Sequence, residues 1–341
     1  MTHLISLPSF SRITRVAARY AALSGLAALA AVGALLAPGA RAQAPELPSL
    51  IRIVVPFTPG GSNDVAARMI AKLLAPRIGK NVIVENRPGA SGYIGASAVA
   101  RGPKDGSVLL CTSSSMITAA ATKSNVPIDI LKDLTPVSIL SESPLLIIVS
   151  VQSKIRTPAD LVAAARANPD TITNGTPGLG TIAHLTGELL NKAANIEIKN
   201  VPYTGGSPAL VDLLGGRIDI NIVSNSQTAG YVADGKVRPV AITWAKPSPD
   251  FPGVPTMASA VPGFEVVQWQ AVWAPAGTPP AIVDRLNREL NEIVKTPEFA
   301  ALVHEDGGIA QSATPAQAAT RVRESYQMWR ELAKAKNIIV D

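Results

Sequence analysis

The sequence has little material for redox, metal or nucleophilic chemistry. Its 341 residues include one cysteine, Cys111, so no internal disulfide can form. Three histidines are present, and no two of them have the spacing of a metal-ligand pair. The glycine-rich segments lack both the final glycine of a nucleophile elbow and the lysine of a phosphate-binding loop. We therefore expect no catalytic residues, no metal and no cofactor.

Aromatic residues are also few, and the net charge is small beyond the N-terminal segment. Aromatic residues make up 4% of the chain, which disfavours a surface on which nucleic-acid bases stack. Four of the 31 Lys and Arg residues precede residue 45, where no Asp or Glu occurs, so the formal charge of +6 falls to +2 beyond that point. We therefore expect no nucleic-acid partner.

The N-terminus is basic and then apolar, which is typical of a secretory signal. An Ala/Leu-rich run covers Tyr20–Ala37, and small residues follow in Ala40-Arg41-Ala42. These predict a signal peptide over residues 1–42, cleaved after Ala42, and a periplasmic location. Cleavage after Ala44 and an uncleaved membrane anchor are the alternatives.

Strand-like and helix-like patterns alternate along the rest of the chain. Apolar, β-branched runs such as Ile51–Pro56 alternate with helical stripes such as Ala281–Val294. This alternation indicates an α/β fold with parallel sheets. The chain should cross between two lobes near Leu145–Ser150 and return near Phe264–Trp273, as a hinge for opening and closing. The predicted lobes are residues 46–147 plus 266–341, and residues 148–265.

Two similar loops carry the functional prediction. Thr58-Pro59-Gly60-Gly61-Ser62 and Thr176-Pro177-Gly178-Leu179-Gly180-Thr181 each lie between a strand and a helix, 118 residues apart (176 − 58). A helix N-terminus has unpaired N–H groups and a partial positive charge, and glycines allow close approach, so a carboxylate can bind there without a cationic side chain. Ordinary turns with helix caps are the alternative.

Weaker candidates lie at the ends of other strands. They are Ser113, Ser114 and Ser115, the loop Tyr203-Thr204-Gly205-Gly206-Ser207, and Ser224 with Asn225. For His184, one turn into the helix after the second loop, we expect a capping or core role rather than catalysis. Arg87 should form a structural ion pair with Glu85, and Cys111 should be a buried small hydrophobe.

Several segments together resemble a known family. Ile53-Val54-Val55-Pro56-Phe57-Thr58-Pro59-Gly60-Gly61-Ser62-Asn63-Asp64 resembles the opening motif of the Bug family, the TctC-like periplasmic receptors of tripartite tricarboxylate transporters. Further matches are Val84-Glu85-Asn86-Arg87-Pro88-Gly89-Ala90, Thr176-Pro177-Gly178-Leu179-Gly180-Thr181 with His184-Leu185, Val201-Pro202-Tyr203, Asp212-Leu213-Leu214-Gly215-Gly216 and Ala274-Pro275-Ala276-Gly277-Thr278-Pro279. The resemblance covers nearly the whole chain after the signal peptide.

The resemblance implies a two-lobed, type II periplasmic-binding-protein fold with a two-crossing hinge. It implies a small-carboxylate ligand gripped by the loops Phe57–Asp64 and Thr176–Thr181, and the membrane permease subunits of a tripartite tricarboxylate transporter as partners. We expect a monomer. The predicted ligand-binding residues are Phe57, Thr58, Gly60, Gly61, Ser62, Asp64, Ser113, Ser114, Thr176, Gly178, Leu179, Gly180, Thr181, His184, Tyr203, Ser224 and Asn225.

The sequence departs from the family pattern in places. The family often has Pro at Thr58, Tyr-Gly at Asn174-Gly175, Lys at Thr204 and Asp near Ser224. If Ser224 fills a position that binds an amino group as Asp, an amino-acid ligand is disfavoured. Two other functions stay open: a ligand receptor for a two-component sensor, and a periplasmic enzyme on the same fold.

Overall fold

The computed structural model describes residues 46–339, which form two β-sheets with helices packed against them. The predicted signal peptide lies outside the described residues. Within the described range, no helix is both long and apolar enough to cross a membrane.

In the described part of the chain, eleven strands build the two sheets. They are β1 Leu50–Val55, β2 Asn81–Asn86, β3 Val108–Ser113, β4 Leu134–Pro144, β5 Leu146–Ser150, β6 Thr173–Thr176, β7 Lys199–Pro202, β8 Ile220–Val223, β9 Val237–Ile242, β10 Val267–Pro275 and β11 Ile309–Ala310. The first sheet has the order β11-β4-β10-β3-β1-β2, and the second has the order β7-β6-β8-β5-β9.

Residues 46–339 also contain eleven α-helices, which lie between and beyond the strands. They are α1 Ser62–Ile78, α2 Tyr93–Ala100, α3 Ser115–Thr122, α4 Ile130–Asp133, α5 Pro158–Ala167, α6 Ile182–Ala194, α7 Gly206–Leu214, α8 Ala229–Ala233, α9 Pro280–Ile293, α10 Pro297–Glu305 and α11 Pro315–Ala335. Local signals set several boundaries: α5 begins at a capping box of Thr157 with Asp160, and α11 at one of Thr314 with Gln317.

The prediction of parallel sheets is wrong for part of each sheet. β1 is parallel to β2 and β3, and β6 is parallel to β7 and β8. In contrast, β10 is antiparallel to β3 and β4, and β5 is antiparallel to β8 and β9. The crossings explain this difference. β4 runs toward the second sheet and β10 returns from it, so Val267 pairs with Pro144 at the end where the chain crosses.

Helices pack against both faces of the first sheet, and alternate residues of its strands point to opposite faces. Ile51, Ile53 and Val55 point to the side covered by α1 and α9, whereas Val54 points to a cluster that includes Trp329 of α11. Packing on both faces fixes the strand register, and thereby the positions of the loops at the strand ends.

The chain passes between the sheets twice, between β4 and β5 and again between β9 and β10. Thr243 is fully buried at this point and ties the two crossings together. Its hydroxyl donates to the carbonyl oxygen of Val266 at 2.7 Å and accepts from the backbone N–H of Leu145 at 2.8 Å. The crossings therefore form one hydrogen-bonded unit.

Candidate functional site

A cleft of about 930 Å³ is lined by residues from elements of both sheets. The first sheet contributes the loop after β1 and the ends of β3, β4 and β10. The second sheet contributes the start of α6 and the segment after β8. A cavity of this size suits a small organic ligand.

In the first loop, Asp64 holds the backbone in place. Its Oδ2 accepts the N–H of Gly60 at 2.9 Å and the Nε–H of Arg68 at 2.9 Å. Its Oδ1 accepts from Nδ2 of Asn86 at 2.9 Å, and Asn86 also donates to the carbonyl oxygen of Phe57 at 3.1 Å. Asp64 therefore lines the cleft with both carboxylate oxygens already engaged by the protein.

Asp64 is 2% exposed, yet it stays ionised. Burial alone raises the pKa of its carboxyl group, but the hydrogen bonds from Arg68, Gly60 and Asn86 outweigh that effect and hold the pKa below its usual value. The loop is thus fixed by a charged acceptor over the physiological pH range.

In the second loop, His184 takes the corresponding role. Its Nδ1 accepts the N–H of Gly180 at 3.1 Å, so the neutral ring carries its proton on Nε2, which lies 3.9 Å from Oε1 of Glu188. Burial lowers the pKa of His184, and the Glu188 carboxylate offsets this only in part. The capping or core role predicted for His184 agrees with this geometry.

The residues at equivalent structural positions in the two loops are not the residues that the sequence similarity pairs. Gly61 and Thr181 are the N-cap residues of α1 and α6, and the preceding Gly60 and Gly180 both have positive φ, +86° and +74°. Glycine is the residue that adopts this conformation without strain. The structural offset is therefore 120 residues (180 − 60) rather than 118, because the second loop has two additional residues between its Thr-Pro-Gly and its helix.

The first turns of both helices face the cleft. Residues 61–63 of the first and residues 181–183 of the second all line it. First-turn N–H groups have no partner inside a helix and carry the positive end of its dipole. The cleft therefore has two sets of backbone donors suited to an anion.

The structure brings together about half of the predicted site residues. Those that line the cleft are Phe57, Thr58, Gly60, Gly61, Ser62, Asp64, Ser113, Thr181 and Ser224. Those that do not are Ser114, Thr176, Gly178, Leu179, Gly180, His184, Tyr203 and Asn225. Contact with a ligand stays a prediction for all of them.

The residues outside the cleft have other contacts. The backbone N–H of Ser114 donates to Trp269 O at 2.8 Å, and the hydroxyl of Tyr203 donates to Oδ2 of Asp212 at 2.7 Å. Nδ2 of Asn225 donates to Glu305 O at 3.0 Å, which joins the segment after β8 to α10. These residues support the walls of the cleft.

Sequence reasoning missed several polar residues that line the cleft. They are Ser141, Ser143, Ser226, Gln227, Gln268, Gln270, Glu305 and Asp306. Gln268 and Gln270 alternate with the buried Trp269, and Ser141 and Ser143 have the same spacing in β4. Polar residues at alternate positions in an otherwise buried strand mark one polar face, and this signal was available.

The cleft lining includes no Lys, Arg or His among residues 46–339. The described part of the chain also has no group of three His, Cys, Asp or Glu residues that could hold a metal ion. The predicted ion pair of Arg87 with Glu85 forms at 2.6 Å, and Cys111 is fully buried with its pKa raised to about 12 by that burial.

Two sheets joined by two crossings, with a polar cleft between helix N-termini, define a solute-binding protein of the two-lobed kind. The sequence profile described as "Tripartite tricarboxylate transporter family receptor" matches residues 66–338. The chain is also 36% identical over 282 residues to Protein BugT of Bordetella pertussis, which covers 82% of this chain and 86% of BugT. The chain belongs to this receptor family.

Solved structures agree with that assignment. The periplasmic binding protein BugD matches with a TM-score of 0.73 and 32% identity, over 85% of this chain and 98% of BugD. R. palustris Rpa4515 with adipate matches with a TM-score of 0.77 and 33% identity, over 85% of this chain and 98% of Rpa4515. The mixed α/β fold of the periplasmic binding proteins, predicted from the sequence, is thereby confirmed.

Proposed function

We propose that this chain is a periplasmic receptor that captures a small carboxylate and delivers it to the permease subunits of a tripartite tricarboxylate transporter. It acts as a monomer and without catalysis, after its signal peptide is removed. The lobes formed by residues 46–147 plus 266–341, and by residues 148–265, close on the ligand.

The observation that carries this proposal is the pair of helix N-termini that line one cleft. Backbone N–H groups of residues 61–63 and 181–183 lie on opposite lobes, and a carboxylate between them accepts from both. Each charge-assisted hydrogen bond of this kind contributes about 1.5–3 kcal/mol. Because the donors come from both lobes, binding and closure are coupled. The adipate bound to Rpa4515 supports the same ligand class.

Thermal unfolding in the presence of small acids tests the proposal. At least one of adipate, succinate, benzoate and octanoate should raise the unfolding temperature. At a hundredfold excess over Kd, the gain in unfolding free energy should be about 2.7 kcal/mol. The methyl esters serve as controls, because esterification removes the anion while keeping the carbon skeleton. No stabilisation by any acid, or equal stabilisation by acid and ester, would contradict the proposal.

Delivery to a permease is tested in cells. A host that lacks this chain should lose uptake of the stabilising acid, and the wild-type chain should restore it. A variant that lacks residues 1–42 should not restore uptake, because it stays in the cytoplasm. Restoration by that variant would contradict the periplasmic assignment.

A further inference from the structure

An uncharged polar row crosses the floor of the cleft. Gln270 of β10 pairs directly with Ser113 of β3 on one side and with Ser141 of β4 on the other. The hydroxyl of Ser141 lies 3.4 Å from Oε1 of Gln270, and Gln268 and Ser143 form the next pair along the same strands. Hydroxyl and amide groups therefore line the path away from the first loop.

That path ends at a carboxylate, Asp306. The first loop follows β1, whereas Asp306 precedes the edge strand β11, and β3, β10 and β4 lie between them. Four strand spacings of about 4.8 Å place these two ends of the cleft up to about 19 Å apart along the sheet. A ligand that contacts both ends is therefore elongated.

The Asp306 carboxylate differs from that of Asp64 in its partners. Oδ1 of Asp306 accepts the backbone N–H of Ser226 at 2.7 Å. Burial raises the pKa of Asp306, and within residues 46–339 only hydrogen bonds from Ser226 offset this effect. Asp64, in contrast, is held by an arginine, an asparagine and a backbone N–H. Asp306 thus has acceptor capacity left for a donor from the cleft.

We propose that the ligand is an elongated monocarboxylate with a hydrogen-bond donor, an amino or hydroxyl group, at its other end. This inference rests on the proposed function: the carboxylate lies between the two helix N-termini, and the donor end contacts Asp306. A second ligand carboxylate would face Asp306 in a cleft whose described lining has no cationic side chain, so like-charge repulsion and desolvation oppose it.

Matched ligands of one chain length test this inference on the wild-type protein. Calorimetry with ω-aminooctanoate, ω-hydroxyoctanoate, octanoate and suberate varies only the ligand end opposite the carboxylate. The corresponding six-carbon ligands, with adipate as the diacid, test the effect of ligand length. The amino acid should bind at least about tenfold more tightly than the diacid, with the hydroxy acid between them. A diacid that binds as tightly as the amino acid, in both series, would overturn the inference while leaving the proposed function intact.

Two variants then test whether Asp306 causes the preference for the amino acid. Asp306→Asn removes the charge but keeps an oxygen for Ser226, and it should abolish the preference for the amino acid over the diacid. Glu298→Gln is the matched control, because this carboxylate of α10 is exposed and lies outside the cleft lining, and it should leave the preference unchanged. A preference that survives Asp306→Asn, or is lost in Glu298→Gln, would contradict the role of Asp306. If no acid of either series binds, the proposed function fails together with this inference.

Discussion

In the first loop a carboxylate holds the glycine amide, whereas in the second loop an imidazole does. Asp64 and His184 both occupy the third helical position of their helices, and each reaches back to the N–H of the glycine before the N-cap. The arrangement resembles the side-chain half of a capping box, moved back by one residue, and both loops use it to fix a turn against a helix N-terminus.

The two loops differ in charge and in caps. Asp64 is ionised and engaged by Arg68, while His184 is neutral and has Glu188 at 3.9 Å from its Nε2. In α1 no side chain caps the helix, whereas Thr181 accepts from the N–H of His184 at 3.4 Å in α6. The same backbone geometry therefore rests on a charge in one lobe and on a protonation-sensitive ring in the other.

The largest expected effect comes from Asp64→Ala. The substitution leaves the donors of Gly60, Arg68 and Asn86 without their acceptor, so the unfolding free energy should fall by about 2–3 kcal/mol in urea denaturation. Asp105→Ala is the control, since that exposed carboxylate accepts from the N–H of Ser107 outside the cleft. Equal losses in the two variants would show that Asp64 has no special role.

A smaller effect is expected from His184→Ala, which removes one acceptor and some buried volume. The unfolding free energy should fall by about 2 kcal/mol, and the Kd for a bound carboxylate should rise about tenfold. His184→Asn supplies an oxygen near the position of Nδ1 and should recover most of the affinity. His184→Leu restores volume alone and should not; recovery by Leu rather than Asn would refute the hydrogen-bond role.

The two loops should also differ in how their contributions to stability depend on pH. The pKa of His184 is lowered in the folded protein, so the unfolded chain binds the proton first as the pH falls below about 6.5. Stability should therefore decrease from that pH down to the lowered pKa, by about 1.4 kcal/mol per unit of lowering. Asp64, with a pKa below 3.8, contributes nothing in this window.

Urea denaturation across this pH range makes the comparison, with His184→Asn as the reference. The variant lacks the ring, so its stability should fall less than that of the wild type on acidification. Parallel curves for the two proteins would contradict the assignment of the lowered pKa to a buried, hydrogen-bonded His184.

The smallest effect is expected at the two additional residues of the second loop. Leu179 is 50% exposed and lies outside the cleft, so Leu179→Ser should change stability by less than about 0.5 kcal/mol and leave Kd unchanged. Thr181→Val is the contrasting variant, because Thr181 lines the cleft and its hydroxyl donates to Gly178 O at 2.7 Å. Calorimetry that finds the larger loss in Leu179→Ser would reverse our alignment of the loops.

Local features of the sequence predicted much of the fold. Strand–loop–helix units and the ion pair of Arg87 with Glu85 depend on neighbouring residues, and the structure confirms them. The antiparallel strands were missed, because their direction depends on where the chain crosses between the sheets.

The candidate site was harder to predict, because it also depends on how distant parts of the chain pack together. The Thr-Pro-Gly similarity placed both loops correctly between strand and helix, but it aligned Gly60 with Gly178 rather than with Gly180. Asp306 contacts Ser226, which is 80 residues away in the sequence, through the packing of α10 against the segment after β8. Nothing in either local sequence indicates that contact.

A crystal structure of the complex with a stabilising carboxylate is the most direct test of an anion site shared by the two loops. We predict carboxylate oxygens within about 2.7–3.2 Å of backbone nitrogens from residues 61–63 and also from residues 181–183. A carboxylate held by one helix N-terminus alone, or bound elsewhere in the cleft, would contradict the claim that the two loops share one anion.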